Sequence, residues 1–169
     1  LISVSTFSTT RNNFVTPIAL WESFNDVNSK DTIDVAFTTD IDAGTDILIE
    51  SETAEDLYMN YTTLINHTDG DTIQVVDVYQ AALAVGFNGS VWVNRAPLSF
   101  SVDPEWLPVS NTVGNVETMA WSEDGNHLYV ANTSGELHRI SNFNEAYSDS
   151  LMDVEDAAYA LTSTLIARF

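Results

Sequence analysis

The stretch DIDAGTD places three carboxylates around a glycine, at Asp40, Asp42 and Asp46, with Gly44 among them. Alternating carboxylates of this kind could wrap a calcium ion, which takes about six to eight oxygen ligands. The stretch offers three carboxylates and lacks a closing glutamate, so it also fits a polar hairpin turn between two strands. The residue types favour the turn, and the sequence leaves calcium binding at these aspartates open.

Three histidines are the next candidates for chemistry. His67 lies beside two aspartates in HTDGDT, where a catalytic triad would also need a nucleophile within hydrogen-bond reach. The Asp-Gly turn accounts for that stretch without catalysis. His127 and His138 lie on one predicted hairpin and could form a zinc pair, although ordinary surface histidines are the interpretation that we favour.

Four tryptophans invite a carbohydrate-stacking interpretation, because sugar faces pack on exposed aromatic rings. Three of them lie inside strand patterns, where aromatic side chains usually fill the core. Trp106 follows Pro104-Glu105 and is therefore the one that we predict to be exposed. The other three are Trp21, Trp92 and Trp121.

Three glutamates, Glu22, Glu105 and Glu117, could supply the carboxylate pair of a glycoside hydrolase, whose two groups lie about 5–10 Å apart. Chance pairs are expected in a chain with 25 acidic residues, so the pattern singles out none of them. We therefore assign no catalytic, cofactor-binding or metal-binding residue from the sequence, and we expect no cofactor.

The charge balance excludes whole classes of partner. Twenty-five acidic residues face five basic ones, which gives a formal net charge of −20. The basic residues do not cluster, so the chain has no track for nucleic acid, and anionic membrane surfaces should repel it. An acidic, well-solvated surface fits a salty or extracellular setting. The five basic residues are Arg11, Lys30, Arg95, Arg139 and Arg168.

Cysteine is absent from the chain, which excludes disulfides, thiol catalysis and cysteine zinc sites. No apolar run approaches the roughly 20 residues of a membrane-spanning helix, so we expect no membrane insertion. The sequence starts at Leu1 without the features of a signal peptide. We expect it to be a processed product or a piece of a longer polypeptide.

Most segments of the chain have the alternating pattern of β-strands. Residues 31 to about 78 contain four segments with apolar residues at every second position, which is typical of half-buried strands. Turn residues at Ala43-Gly44 lie between the first and second segments, and turn residues at Asp69-Gly70 lie between the third and fourth. The sequence therefore predicts two successive hairpins that form a small sheet or sandwich.

A hairpin pattern recurs in the second half of the chain. LAVGFNGSVWVNR resembles LYVANTSGELHRI, and their first residues, Leu83 and Leu128, are 45 positions apart. A strand repeat of about 40–50 residues is the spacing of propeller blades. PEWLPVS and TSTLIARF follow the two hairpins as outer strands would. Residues 141–160 break the pattern and predict an irregular excursion, with at most one short helix.

These residues also resemble a known family. WSEDGNHLYVANTSGELHRISN is similar to the blade hairpins of sortilin-like (Vps10-like or BNR-type) propeller regions, found in large secreted or surface proteins of Bacteroidetes-type bacteria. GSVWVNRAPLSFSVDPEWLPVS resembles another blade of those proteins, and TPIALWESFNDVNSKDTIDV resembles a join where a β insert interrupts a blade. The BNR turn reads Ser-x-Asp-x-Gly-x-x-Trp. The turn at residues 122–125 lacks the spacer, which argues against a sialidase activity.

The resemblance implies an all-β fold of β-propeller blades, forming a partial propeller with a small β-sandwich-like insert. We expect residues 1–30 to be the end of a preceding blade and residues 31–78 to be the four-stranded insert. Residues 79–169 should hold the propeller blades, with the last one incomplete.

The expected function is a non-enzymatic binding or scaffolding module in an extracellular or cell-surface setting, as part of a larger propeller protein. Its expected partners are a protein or a glycan at a cell surface, and other chains or the rest of its own parent chain. One alternative is a glycan-active, sialidase-like propeller, which would set arginines such as Arg95 and Arg139 against a substrate carboxylate. Another is a structural component of a virion or surface filament.

Overall fold

A computed structural model describes residues 16–100 and 103–169, so the first half of the predicted 1–30 unit lies outside the described residues. The described residues form an all-β protein with one short helix, as the alternating patterns predicted. The elements are β1 (Ile18–Ser23), β2 (Thr32–Ala36), β3 (Asp46–Glu50), β4 (Tyr58–Thr62), β5 (Thr72–Val76), β6 (Gln80–Gly86), β7 (Val91–Asn94), β8 (Leu107–Ser110), β9 (Val116–Trp121), β10 (His127–Asn132), β11 (Glu136–Ser141), α1 (Asp149–Met152) and β12 (Thr162–Arg168).

The first sheet has four antiparallel strands in the order β1-β6-β7-β8. Its first two strands are separated in the chain by the whole of the insert, because β1 pairs with β6 from Ile18 opposite Val85 to Ser23 opposite Gln80. The prediction assigned residues 1–30 to the end of a preceding blade. In the structure β1 instead opens the sheet that the insert interrupts.

The second sheet also has four antiparallel strands, in the order β12-β11-β10-β9. Its strands follow one another along the chain, and residues 142–161 form the predicted excursion between the third and the fourth strand. β12 pairs with β11 from Thr162 opposite Ser141 to Arg168 opposite Glu136, so TSTLIARF is the outer strand of this sheet, as the sequence predicted.

The strand registers show that the two sheets repeat one motif. Leu83 in the second strand of the first sheet lies opposite Leu20 in the first strand. Leu128 holds the same place in the second sheet and lies opposite Trp121. The two hairpins that the sequence related by a 45-residue spacing are therefore strands two and three of two different sheets.

A β-bulge occurs at the same point of each sheet, where the third strand meets the fourth. The register shifts between Val91 and Trp92 in the first sheet, and between Leu137 and His138 in the second. Trp92 and His138 are equivalent, since they lie opposite Val85 and Val130, each two residues after the related leucine. Bulges re-aim a strand at a defined position, so a shared bulge supports a repeated unit.

The two faces of each sheet have different neighbours. The leucine face is the side of Leu83 in the first sheet and of Leu128 in the second, and the alanine face is the side of Ala19 and of Ala120. The alanine face of the first sheet packs against the leucine face of the second and forms the main core. Burying each valine, leucine or isoleucine there contributes about 1.5–3 kcal/mol. The fully buried side chains of this interface include Ala82, Ala84, Val91, Val93, Leu128, Val130 and Ile140.

The insert consists of two two-stranded sheets that share a small core. β2 pairs with β5, and β3 pairs with β4, so the pairs are nested. The predicted arrangement of two successive hairpins is wrong, although all four strands lie where the pattern placed them. Ile33, Ile49 and Val75 fill the space between the two sheets. Pairing β2 with β5 sets Ile33 directly opposite Val75.

A buried carboxylate closes the insert at its base. Asp77 is fully buried and accepts hydrogen bonds from the Ser51 hydroxyl at 2.7 Å and from the backbone N–H groups of Glu52 at 3.1 Å and Tyr79 at 3.0 Å. These donors offset the cost of removing the carboxylate from water. Asp77 thereby ties the β3–β4 loop to the segment that returns to the first sheet.

The single helix of the described residues, α1, has four residues. None of the described helices is long and apolar enough to cross a membrane.

Substituting Gly125 tests the contact between the two sheets. Gly125 has a φ of 67°, and a Cβ there would lie 2.4 Å from Cε2 of Trp21. We expect Gly125→Ala to lower the free energy of unfolding by about 2–4 kcal/mol, as the sum of a left-handed backbone cost and overpacking. Denaturant titration followed by tryptophan fluorescence measures this loss.

Gly44→Ala is the matched control, since Gly44 has a φ of 85° and open space around the added Cβ. It should cost only the backbone term, about 1 kcal/mol. Equal losses in the two variants would contradict the packing of Trp21 on Gly125.

Candidate functional site

A cleft of about 570 Å³ lies beside the contact between the two sheets. Three segments form it: the linker from β1 into the insert, the β9–β10 turn, and the start of the excursion after β11. Its lining residues are Trp21, Ser23, Asn25, Asp26, Val27, Asn28, Lys30, Glu123, Asp124 and Asn144.

Trp21 forms an aromatic wall of the cleft. The alternation of β1 places it on the alanine face, toward the second sheet. Its indole Nε1 donates to the carbonyl oxygen of Glu123 at 3.0 Å, and its ring packs on Gly125, which has no side chain to push it away. The ring is therefore held from two sides and keeps one orientation.

The β9–β10 turn presents a fixed carboxylate at the cleft. The Ser122 hydroxyl donates to Asp124 Oδ1 at 2.5 Å, and the backbone N–H of Asn126 donates to the same oxygen at 3.1 Å. These hydrogen bonds stabilise the ionised carboxylate and lower the pKa of Asp124, and the one from Ser122 has the larger effect. Ser122 in turn accepts from the backbone N–H of His127 at 2.9 Å, so the turn is closed on itself.

Amide side chains supply the remaining hydrogen-bonding groups of the cleft. Asn25, Asn28 and Asn144 are exposed, and within the described part of the chain their side-chain amides make no hydrogen bonds. Each amide offers two donors and an acceptor. Lys30 forms an ion pair with Glu145 across the cleft edge, which ties the linker to the excursion.

The chemistry of this lining suits recognition of a polyhydroxylated molecule. Amides can both donate to and accept from hydroxyl groups, carboxylates accept from them, and the face of an indole ring can pack on C–H groups. Among the described lining residues Ser23 is the one with a hydroxyl, and none of them is a histidine or cysteine that could activate it. Three carboxylates against one ammonium group disfavour an anionic ligand.

A second cavity, of about 270 Å³, lies beside Arg95. The Arg95 guanidinium donates to the backbone carbonyls of Phe143 and, at 3.0 Å, of Ala146, and it lies 4.6 Å from the ring centroid of Tyr147. Burial lowers the pKa of Arg95. Arg95 therefore fastens the excursion to the first sheet.

The same cavity holds an acidic pair. Glu105 lies next to Asp149, and burial, followed by the neighbouring Asp149, raises the pKa of Glu105. Of the three glutamates considered for hydrolysis, Glu105 alone lines this cavity, whereas Glu22 lies on β1 and Glu117 on β9.

The three aspartates at which the sequence left calcium binding open make contacts with different partners. Asp40 accepts from the backbone N–H of Asp69 at 3.0 Å, and Asp46 accepts from the Thr62 hydroxyl at 2.6 Å. Asp42 uses its backbone carbonyl to hold Thr45 and Thr63. Residues 16–100 and 103–169 contain no group of three or more His, Cys, Asp or Glu side chains that could hold a metal ion.

The histidines have structural neighbours. His67 is buried and stacks on Phe37 with 4.4 Å between the ring centroids. His127 lies on the alanine face and His138 on the leucine face of the second sheet, so the hairpin sends them to opposite sides. The zinc pair considered from the sequence does not form. His138 is buried, with Nε2 3.4 Å from Glu136 Oε2.

The tryptophan prediction is wrong at Trp106, which is only 9% exposed. Trp121 donates to the carbonyl oxygen of Ala19 at 3.1 Å and packs in the core, as its strand pattern predicted. The tryptophan that lines the cleft is Trp21. Asn25, Asn28 and Asn144 carry no periodic signal in the sequence, because they lie in irregular segments and come together only in the folded chain.

No protein-family model, no curated protein and no solved structure matches the chain.

Asp124 gives the cleft a pH dependence whose sign follows from its lowered pKa. The ionised carboxylate stabilises the fold above the unfolded pKa of about 3.9, and this contribution is lost as the pH falls through the folded pKa. We expect Asp124→Asn to lower the melting temperature at neutral pH by about 1–2 °C, since the group is mostly solvated. Below the pKa of Asp124 in the folded state, Asp124→Asn and the unaltered chain should have the same melting temperature.

Asp42→Asn is the control, because it removes the same charge from a carboxylate without hydrogen bonds in the described part of the chain. Thermal melts between neutral and strongly acid pH make the comparison. If Asp42→Asn reproduced the neutral-pH loss of Asp124→Asn, the hydrogen bond from Ser122 would not be its cause.

Proposed function

We propose that the chain is a non-enzymatic binding module, displayed in an extracellular or cell-surface setting, and that its cleft takes a neutral carbohydrate. The observation that carries the proposal is the lining of the cleft. A tryptophan held in one orientation stands beside three asparagine amides that have no hydrogen-bond partner in the described part of the chain.

The charge of the cleft supports a neutral ligand. Asp26, Glu123 and Asp124 line it, and its one ammonium group, Lys30, is already paired with Glu145. An acidic sugar would bring its carboxylate next to these groups at a cost in electrostatic free energy. A neutral glycan can instead exchange its water contacts for amide and carboxylate hydrogen bonds.

We also propose that the two sheets are neighbouring blades of a sortilin-like β-propeller, whose remaining blades come from other chains. The support is the repeated four-stranded motif with its equivalent bulges, and the packing of unlike faces. A unit with two apolar faces must be stacked between neighbours, and a propeller does this radially with about four to eight blades.

The sialidase-like alternative finds no support in the arginines. Arg95 is engaged by two backbone carbonyls of the excursion, and Arg139 lies on the alanine face of the other sheet. A substrate carboxylate would need such guanidinium groups gathered and free to form paired hydrogen bonds.

The binding proposal is tested with a panel of neutral and anionic oligosaccharides. We expect saturable binding of a neutral oligosaccharide, measured by saturation-transfer NMR. Prolonged incubation should give no cleaved product. Asn25→Ala combined with Asn144→Ala should weaken this binding about tenfold, since each lost hydrogen bond costs about 0.5–1.5 kcal/mol.

Asn60→Ala is the matched control, because Asn60 is an exposed amide on β4 in the insert, and it should leave the affinity unchanged. Release of a cleaved product would contradict the non-enzymatic assignment. Binding that survives in the double variant would place the ligand elsewhere.

A further inference from the structure

Within residues 16–100 and 103–169, each sheet leaves one face open. On the leucine face of the first sheet, Ile18 and Leu20 are 68% and 50% exposed, and Leu83 and Val85 are half-buried beside them. Exposed neighbouring apolar side chains of this size on one sheet face usually mark an interaction surface.

The open face of the second sheet is its alanine face. Ala120 is exposed there, and Tyr129, Ala131 and Leu137 are half-buried. This face also carries Arg139, which is half-buried, so a positive charge lies on it.

The two open faces are of the two kinds that already bind each other inside the chain. There, Trp121 on the leucine face of the second sheet donates to the carbonyl oxygen of Ala19 on the alanine face of the first. By register, Leu20 holds the position of Trp121, and Ala120 holds that of Ala19. The open leucine face and the open alanine face therefore repeat the two halves of the interface between the two sheets inside the chain.

We propose that these faces bind a second copy of the chain head to tail, with the leucine face of the first sheet of one copy on the alanine face of the second sheet of the next. The inference rests on the proposed stacking of the sheets as blades and is independent of the carbohydrate cleft. Opposite charges meet in this arrangement, since the leucine face bears Glu22 and the alanine face bears Arg139.

Head-to-tail contacts generate closed rings when the rotation per unit closes, and open filaments when it does not. Two copies bring four sheets and four copies bring eight, which spans the range of about four to eight blades that close as propellers. The structure therefore favours a closed assembly of two to four copies. The net charge of −20 on each copy opposes association at low ionic strength, where repulsion is poorly screened.

Analytical ultracentrifugation of the whole chain tests the proposal, from micromolar to millimolar concentration in about 1 M NaCl, where the Debye length is about 3 Å. We expect the average mass to rise to at least twice the 18.6 kDa of one chain and then to level off. A mass that stays at one chain throughout would overturn the proposal, and so would a mass that rises without limit.

Two variants of exposed residues identify the faces. Leu20→Glu spoils the leucine face and Ala120→Glu spoils the alanine face, and each alone should weaken association more than about 100-fold, since a carboxylate would be buried without a partner. Mixing the two variants leaves one intact face of each kind, so the mixture should form a one-to-one pair and nothing larger.

Leu64→Glu is the matched control, since it adds the same charge at an 81% exposed leucine of the insert and should associate like the unaltered chain. Loss of association in Leu64→Glu, or failure of the mixed variants to pair, would show that these faces do not bind head to tail. Neither result would bear on carbohydrate binding, which is measured on the single chain at the cleft.

Discussion

The alanine face of the first sheet packs on the leucine face of the second, and this contact brings together the segments that form the cleft. Small residues let the two sheets approach closely, because a Cβ on Gly86 would lie 2.6 Å from Cγ1 of Val116. Each sheet also sends an indole N–H to a carbonyl of the other, from Trp21 to Glu123 and from Trp121 to Ala19. These paired donors fix the sheets against sliding, and the cleft exists because Trp21 is held in this way.

The insert does not disturb the contact between the two sheets, because its strands pair and pack with one another. Its apolar residues meet in a core of their own, and the buried Asp77 joins its loop to its exit. The backbone N–H of Asp26 donates to the carbonyl of Val78 at 2.8 Å, which brings the two connecting segments together. The cost of closing a longer loop grows only slowly with length, so the first sheet tolerates the interruption. The connecting segment then supplies Asn25 and Asn28 to the cleft, and a site arises from the insertion itself.

Alternation along the sequence predicted the strands well, because one buried face forces a period of two. It could not predict the partners of the insert strands, since alternation fixes the face of a strand and leaves its neighbour undetermined. Trp106 was misjudged for a related reason. Pro104 and Glu105 precede it and suggested an exposed loop, but Trp106 lies directly before β8 and is buried there. The three asparagines of the cleft were missed because they lie in irregular segments without a pattern, and only the packing of the sheets brings them together.

The few basic side chains show how so acidic a chain stays folded. Lys30 joins the insert linker to Glu145, Arg95 joins the first sheet to the excursion, and Arg168 joins the last strand to Glu136 at 3.0 Å. Each of these cations lies where two separate segments of the chain must be held together. Most carboxylates therefore remain without a cationic partner and face water, where the cost of ionisation is small. A surface of this kind repels other acidic molecules at a distance, so association must come from short-range contacts that exclude water, such as apolar faces and amide hydrogen bonds.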